Sequence, residues 1–294
     1  MSAVYKRELR AYMNNVYGWL FMAILLMFTG FMVFLDNVYN GYPNFEYALS
    51  DSQYALMILI PILCMRSMAE DKHNKTDMFY LSLPMSTTSV VLGKYFAMLT
   101  VLAIPCAALC VYPLILGLLG EVNMAVAYLA VLQFFLLGAA LIAVCQFTSS
   151  LSDNLVVAAV LGVVSTALLL FAPMLAYNVL PTSPMASIIG LVVLALLLGG
   201  VAFLATRNLN VTAITCAVAV VPLCVVYILA KEAFEGLLAD LLYFVSPFIH
   251  FATFCEFGTL SVPSLILLLS YPVFFVFLTV QSADKQRWDY FVRR

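Results

Sequence analysis

Long runs of apolar residues, separated by short polar segments, occupy most of the chain from residue 17 to residue 281. A helix needs about 17–25 predominantly apolar residues to cross a bilayer. The runs therefore predict eight membrane-spanning helices, and they lack the roughly ten-residue alternation of a transmembrane barrel. The predicted spans are Tyr17–Leu35, Asp51–Met68, Lys94–Leu119, Ala125–Phe147, Leu155–Val179, Met185–Thr206, Val211–Ala230 and Val262–Gln281.

Composition supports this interpretation. The 294 residues are 65% hydrophobic and 10% charged, whereas soluble domains have about 45–50% apolar and 25% charged residues. So few charged side chains cannot cover the surface of a soluble core. The net charge of −2 gives no basic surface for nucleic acid, so we expect no nucleic-acid partner. We predict an all-α polytopic membrane protein in which residues 1–294 form a single transmembrane domain within the lipid bilayer.

The second predicted span is the weakest, because its uninterrupted apolar stretch, Tyr54–Met65, is short for a crossing. The distribution of basic residues nevertheless favours it. With eight crossings and cytoplasmic N- and C-termini, every Lys and Arg except Lys231 lies on the cytoplasmic side, as the positive-inside bias requires. Without this span, everything after it would be inverted and the asymmetry would be lost.

Two further segments are predicted to lie along the membrane. Residues 1–15 are predicted to form an interfacial cytoplasmic helix, because their apolar and basic residues fall on different faces. Residues 231–261 have an apolar stripe and are interrupted by Pro247 and Gly258, while Asp240 and His250 make a full crossing costly. We predict an extracytoplasmic amphipathic, re-entrant segment there. The apolar positions of the first segment are Tyr5, Leu9, Tyr12 and Met13, and its basic positions are Lys6, Arg7 and Arg10.

The sequence carries no motif for catalysis or nucleotide binding. A phosphate-binding loop has the pattern G-x-x-x-x-G-K-[ST], but around Gly93-Lys94 the other two required positions hold Thr88 and Tyr95. Neither an H-E-x-x-H helix nor a G-x-S-x-G turn is present. No Asp or Glu falls near the middle of a predicted span. Such residues usually mark ion pathways, so the sequence gives little support to ion-coupled transport. We predict that this chain is not an enzyme and holds neither a cofactor nor a metal.

The longest polar cytoplasmic segment runs from Arg66 to Lys94. A short amphipathic helix there would expose aromatic side chains beside charges, a composition typical of docking surfaces. An interfacial connector whose apolar face lies on lipid is the alternative. Ser86 is expected to cap the helix that follows. The residues of interest, in order, are Arg66, Glu70, Asp71, Lys72, Thr76, Asp77, Phe79, Tyr80 and Pro84.

The order of residues in this segment resembles the cytoplasmic loop of type 2 ABC exporter permeases, and most closely the branch named for gliding-motility-associated permeases. The family pattern commonly has Glu where this chain has Asp71 and Asp77, and Gly where it has Lys75. Such permeases often begin with a K-[RK]-E-L helix, similar to Lys6–Leu9. The matching residues read Arg66-x-x-Ala69-Glu70-Asp71-Lys72-x-x-x-Thr76-Asp77-x-x-x-Leu81-x-x-Pro84 and then Gly93-Lys94.

The resemblance implies a non-catalytic permease subunit in the plasma membrane of a bacterium. It would pair with a second copy or a paralogous permease around a central path. A separate ABC ATPase, which holds ATP and magnesium, would grip residues 69–84 and tilt the first, second and fifth spans. Glu70 is the first candidate for transmission, paired with Arg66 or with the ATPase. The implied coupling residues are Arg66, Glu70, Asp71, Lys72, Thr76, Asp77, Phe79, Tyr80, Pro84, Gly93 and Lys94.

Related permeases commonly have six spans, whereas eight are predicted here. The resemblance therefore implies that residues 181–230 form an additional helical hairpin. Two other functions stay open from the sequence. One is a secondary transporter driven by an ion gradient, and the other is a non-transporting membrane scaffold. The transported substrate is also open among peptides, drugs, lipids and polysaccharide precursors, because no residue of the predicted spans discriminates among them.

Overall fold

The computed structural model describes residues 1–74, 86–120, 122–178 and 237–292. Most of these residues are helical, and none of them forms a strand, so the predicted all-α class is confirmed for the described part. A π-helical turn, Phe34–Tyr39, continues the second helix. The helices are α1 Ser2–Met13, α2 Val16–Val33, α3 Phe45–Cys64, α4 Ala69–His73, α5 Thr87–Leu109, α6 Val111–Leu119, α7 Met124–Ser150, α8 Leu155–Asn178, α9 Leu237–Val245, α10 Pro247–Phe257 and α11 Val262–Val292.

Five helical stretches among the described residues are long and apolar enough to cross a membrane. They overlap the first four predicted spans and the last one. The fifth predicted span corresponds to α8, whose shorter apolar part is Leu155–Phe171. The predicted hairpin, residues 181–230 with its two spans, lies outside the described residues. The five stretches are Val16–Tyr39, Phe45–His73, Thr87–Leu118, Met124–Ser150 and Val262–Lys285.

The second membrane-length helix begins at Phe45, earlier than the predicted start at Asp51. Hydropathy placed the start too late because polar residues reduce the local average. In the structure several of these side chains are buried: Glu46 is 7% exposed and Gln53 is 5% exposed. The Ser52 hydroxyl donates to the carbonyl of Ala48 at 2.7 Å. Polar residues on a face that packs against protein therefore do not end this helix.

The first of two compact units comprises Met1–Ala167 and Pro247–Arg294, and α7 is its central helix. Helices α3, α5, α10 and α11 all pack against α7. Of its apolar stretch, 72% is buried, against 33% for Val16–Tyr39 and for Val262–Lys285. Small residues allow this packing: a Cβ added at Gly138 would lie 2.4 Å from Cδ2 of Leu102.

Helix α1 packs against α5 through a face made of Val4, Glu8 and Tyr12, all less than 9% exposed. This buried face is displaced from the predicted apolar face, because α1 has a protein neighbour on that side that the sequence pattern does not reveal. The rest of the predicted apolar face is half-buried: Tyr5, Leu9 and Met13. The basic residues are exposed, as an interfacial helix requires: Lys6, Arg7 and Arg10.

The second compact unit is Leu168–Ser246, and its described parts are the end of α8 and helix α9. The Ser246 hydroxyl donates to the Leu169 carbonyl at 2.6 Å. On α9, Leu241 is 36% exposed and Val245 is 38% exposed. Both belong to the apolar stripe predicted for residues 231–261, of which residues 231–236 lie outside the described residues.

The helix boundaries that the sequence marks with Ser86, Pro247 and Gly258 are present in the structure. Ser86 is the N-cap of α5, and its side chain accepts a hydrogen bond from the Ser89 N–H at 3.4 Å. Pro247 begins α10, where its missing N–H has no cost. Gly258 follows α10 with φ +63°, the left-handed conformation that favours glycine at a helix end.

Gly93 lets α1 approach α5 closely. A Cβ at this position would lie 3.1 Å from Cβ of Val4 and 3.3 Å from the backbone nitrogen of Tyr5. Both neighbours belong to the helix that packs across it, so a larger side chain can be accommodated only if α1 moves.

We therefore predict that Gly93→Val lowers the free energy of unfolding by about 1–3 kcal/mol, the typical cost of overpacking. It should also expose the trypsin sites of α1. Gly120→Val is the matched control, because a Cβ at Gly120 meets nothing within 4 Å. Unfolding in mixed micelles and the rate of tryptic cleavage in α1 provide the measurements. Equal values for the two variants would contradict the close approach of α1 and α5.

Candidate functional site

Helix α4 is a short helix directly after α3, and a residue distant in sequence caps its start. The hydroxyl oxygen of Ser149, near the end of α7, accepts hydrogen bonds from the N–H groups of Met68 at 3.3 Å and Ala69 at 3.1 Å. The first N–H groups of a helix have no partner within the helix. Ser149 supplies one from α7, so the start of α4 is docked on the C-terminal end of the central helix.

Lys72 makes a second connection between α4 and α7. Its ammonium donates a short hydrogen bond to the Ser150 carbonyl and lies 3.6 Å from the Asp153 carboxylate. A cation at a helix C-terminus is stabilised by the unpaired carbonyls and by the helix dipole. Only 11% of the Lys72 side chain is exposed, against 85% for Asp153. The contact with the end of α7 is therefore the protected part of this interaction.

Lys94 of α5 is a buried cation at the same place, with 3% of its side chain exposed. Its ammonium donates to the carbonyl of Ser67 at 2.6 Å. It also lies 2.7 Å from Oδ2 of Asp71 on α4 and 3.4 Å from Oε1 of Glu8 on α1. A charge removed from water must be paired and hydrogen-bonded to be tolerated. Lys94 thus brings together α1, α4 and the residues that follow α3.

Arg7 covers the outer side of this arrangement. Its guanidinium lies 2.6 Å from Oε1 of Glu8 and 4.0 Å from Oδ1 of Asp71, and 56% of the side chain is exposed. Two cations and two carboxylates therefore alternate, so the formal charges balance. We call Arg7, Glu8, Asp71 and Lys94 the Lys94 cluster.

The Arg66–Glu70 pair, one helical turn apart, is the pairing that the sequence suggested. Arg66 donates from Nε to Oε2 of Glu70 at 2.9 Å and from Nη2 to Oε1 at 2.7 Å. Its guanidinium also stacks 4.4 Å from the centre of the Tyr17 ring. The side chains are 22% and 30% exposed, and two parallel N–H···O bonds make the pair bidentate, a geometry stronger than a single contact. The pair therefore orients Glu70 at the start of α4.

Tyr12 connects the C-terminal end of α1 with α3. Its hydroxyl donates to the Leu63 carbonyl at 3.3 Å. Burial raises the pKa of the Tyr12 phenol well above its usual value, so the phenol stays protonated and acts as a donor. Helix α1 is consequently attached to α5 and to α3, the two helices that flank residues 65–86.

Two buried glutamines of α7 differ in their hydrogen bonding. Gln146 donates from Nε2 to the Val91 carbonyl of α5 at 3.0 Å, which connects α7 with α5 beside the Lys94 cluster. Gln133 is fully buried, and neither side-chain polar atom has a hydrogen-bond partner among the described residues.

The structure brings the described members of the predicted coupling set together. Asp71 and Lys94 pair directly, Gly93 permits the approach of α1, and Lys72 binds the end of α7. The other predicted members lie outside the described residues: Thr76, Asp77, Phe79, Tyr80 and Pro84. The described residues contain no group of three or more His, Cys, Asp or Glu that could hold a metal ion. The arrangement can hold helices together, and its polar groups are already engaged with one another.

Sequence reasoning missed Glu8 and Ser149 as members of this site. A signal for Glu8 exists, because it lies four residues from both Val4 and Tyr12 and so shares their buried face. Nothing local marks Ser149, whose role depends on contact with the start of α4, some 80 residues earlier in the chain.

Comparisons with known proteins return no match: no family model, no curated protein and no solved structure is significantly similar to this chain. The family resemblance accordingly rests on the residues of the segment Arg66–Lys94 and of the N-terminal helix.

The geometry predicts a large difference between the two ion pairs of this site. Lys94→Met leaves the buried carboxylates of Asp71 and Glu8 without their central cation, and should cost about 3–5 kcal/mol of unfolding free energy. Glu70→Gln, which weakens a bidentate but partly exposed pair, should cost less, about 1–2 kcal/mol. Unfolding of both variants in mixed micelles measures the difference. A Lys94→Met variant as stable as Glu70→Gln would contradict the burial and pairing of Lys94.

Proposed function

We propose that this chain is the transmembrane permease subunit of an ATP-binding cassette exporter, which forms the translocation path as a dimer and couples to a separate ATPase subunit. The observation that carries the proposal is the arrangement around α4. Arg66, Glu70, Asp71 and Lys72 occur with the spacing of the family loop, and Lys94 follows at the foot of the next span. These residues hold α4 in position, and α4 begins the segment that would contact the ATPase.

In the proposed mechanism, the ATPase contacts residues 69–84 and displaces them when it closes on ATP. Separating Asp71 from Lys94 would leave buried charges unpaired, so α4 is expected to move together with its neighbours. Its ties run to α1 through the Lys94 cluster, to α5 through Lys94, and to α7 through Ser149 and Lys72. A displacement of α4 is thus transmitted directly to α7, the central helix of the bundle.

We also propose eight crossings with both termini in the cytoplasm of a bacterial cell. Near the end of α11, Asp284 accepts a hydrogen bond from the Thr87 hydroxyl, and Ser282 bonds the Ser150 hydroxyl at 3.1 Å. The end of the last helix therefore lies at the same end of the first unit as α1 and α4. Termini on one side require an even number of crossings. The five candidate spans alone give an odd number, so α8 is proposed to cross as well. The two spans predicted in residues 181–230 bring the number to eight.

The experiment is co-expression with the ATPase encoded beside this gene, followed by purification and ATPase measurements in vesicles. We predict that Glu70→Ala and Tyr80→Ala each weaken complex formation or permease-dependent ATP hydrolysis by about fivefold or more, the range typical of coupled sites. Glu256→Ala is the matched control, because this exposed residue lies on α10, away from α4. If both variants behave like Glu256→Ala, the role assigned to this segment is wrong.

One observation favours the alternative of an ion-coupled secondary transporter. Glu46, in the first turn of α3, is only 7% exposed, and carboxylates buried within membrane helices often mark ion pathways. That function predicts gradient-driven uptake in vesicles without ATP, lost in Glu46→Gln and kept in Glu256→Gln. Uptake that needs ATP and the ATPase subunit would reject it.

A further inference from the structure

Helix α1 has three distinct sides. One side is buried against protein and contains Val4, Glu8 and Tyr12. A second side is apolar and half-buried, and consists of Tyr5, Leu9 and Met13. The third side is exposed and basic. Its residues are spaced three and four apart, which places them along one edge of the helix: Lys6, Arg7 and Arg10.

An independent observation indicates that α1 lies at the level of lipid headgroups. Trp19, just after α1, is 57% exposed, and its indole donates to the Met13 carbonyl at the end of α1 at 2.7 Å. Tyr17 is 46% exposed. Exposed Trp and Tyr at the start of an apolar helix are typical of the membrane–water interface. Leu9 and Met13 of the half-buried side then face acyl chains, while the Tyr5 hydroxyl bonds Thr100 of α5 at 3.0 Å. The basic edge faces the headgroups.

The charges of α1 make this edge complementary to anions. The single acidic residue of the helix, Glu8, is buried and paired with Lys94 and Arg7. The exposed edge therefore presents cations alone. Arg7 belongs to both environments: it contacts Glu8 and Asp71, yet more than half of its side chain is exposed. A guanidinium has five donors in a planar fork and can bind a phosphate while it contacts a carboxylate.

We propose that the basic edge of α1 binds the phosphate groups of anionic lipids in the surrounding leaflet, and that Arg7 is shared between a lipid phosphate and the Lys94 cluster. Each Lys or Arg near an anionic membrane surface strengthens binding by roughly fivefold. A bound lipid phosphate thereby influences the contact between α1 and α4 through the Arg7 side chain. This inference does not depend on an ATPase partner or on the direction of transport.

Quenching of Trp19 by brominated lipids tests the proposal on the full-length chain. The sequence has two tryptophans, so Trp288→Phe leaves Trp19 as the single reporter, next to the end of α1. Vesicles that mix phosphatidylglycerol and phosphatidylcholine, with one or the other brominated, give the relative binding constant of the two lipids beside Trp19. We expect a preference for phosphatidylglycerol, reduced by roughly fivefold for Arg10→Gln and abolished for Lys6→Gln/Arg7→Gln/Arg10→Gln.

Lys285→Gln is the matched control, because this basic residue lies on α11 rather than on α1, and it should keep the full preference. Arg10→Lys should keep it as well, because the charge is retained. In the protein with Lys6, Arg7 and Arg10 intact, raising the salt concentration should weaken the preference for phosphatidylglycerol, because salt screens the attraction between exposed charges. Arg10→Gln and the salt series also decide the question if the triple variant does not reconstitute.

Three results would overturn the proposal: equal quenching by the two lipids at low salt, a preference that persists in Arg10→Gln at the level of Lys285→Gln, or a preference that salt leaves unchanged. These results concern α1 and lipid alone. They therefore differ from a failure of the proposed export function, which would appear as an intact lipid preference without any ATPase complex.

Discussion

The burial of one ammonium group is the constraint on which the rest of this site depends. Lys94 is 3% exposed at its side chain, so its charge must be balanced within the protein. Asp71, Glu8 and the Ser67 carbonyl provide this balance, and each comes from a different part of the chain. Helix α1, the residues that follow α3, and helix α4 are thereby held in one arrangement. The glycine that precedes Lys94 makes the arrangement possible, because it lets α1 approach α5.

The same arrangement connects the segment that follows α3 to the core of the bundle. Helix α4 by itself has five residues and few internal hydrogen bonds, so its position depends on its neighbours. Ser149 pairs its first N–H groups, and Lys72 bonds the carbonyl of Ser150, the last residue of α7. Both interactions satisfy groups that a helix end leaves open. In the proposed permease, helices α4 and α7 therefore move as one body.

The sequence predicted those features that arise from local pattern. Apolar runs located five membrane-length helices, and the spacing of Arg66 and Glu70 indicated an ion pair across one helical turn. Features that depend on packing between distant segments could not be predicted in this way. Helix α3 starts earlier than hydropathy implies, because Glu46 lies on a buried face. The spacing of Glu8 from Val4 and Tyr12 places it on their buried face, but its pairing with Lys94 is contained in no pattern within α1.

The most direct test of this account is the coupling energy between Asp71 and Lys94, obtained from the unfolding free energies of Asp71→Asn, Lys94→Met and the double variant. Residues in direct contact show coupling of about 0.5–3 kcal/mol. We expect a value in the upper half of that range, because the two groups lie 2.7 Å apart and are shielded from water. Additive effects of the two substitutions would show that α4 is not held to the bundle by Lys94.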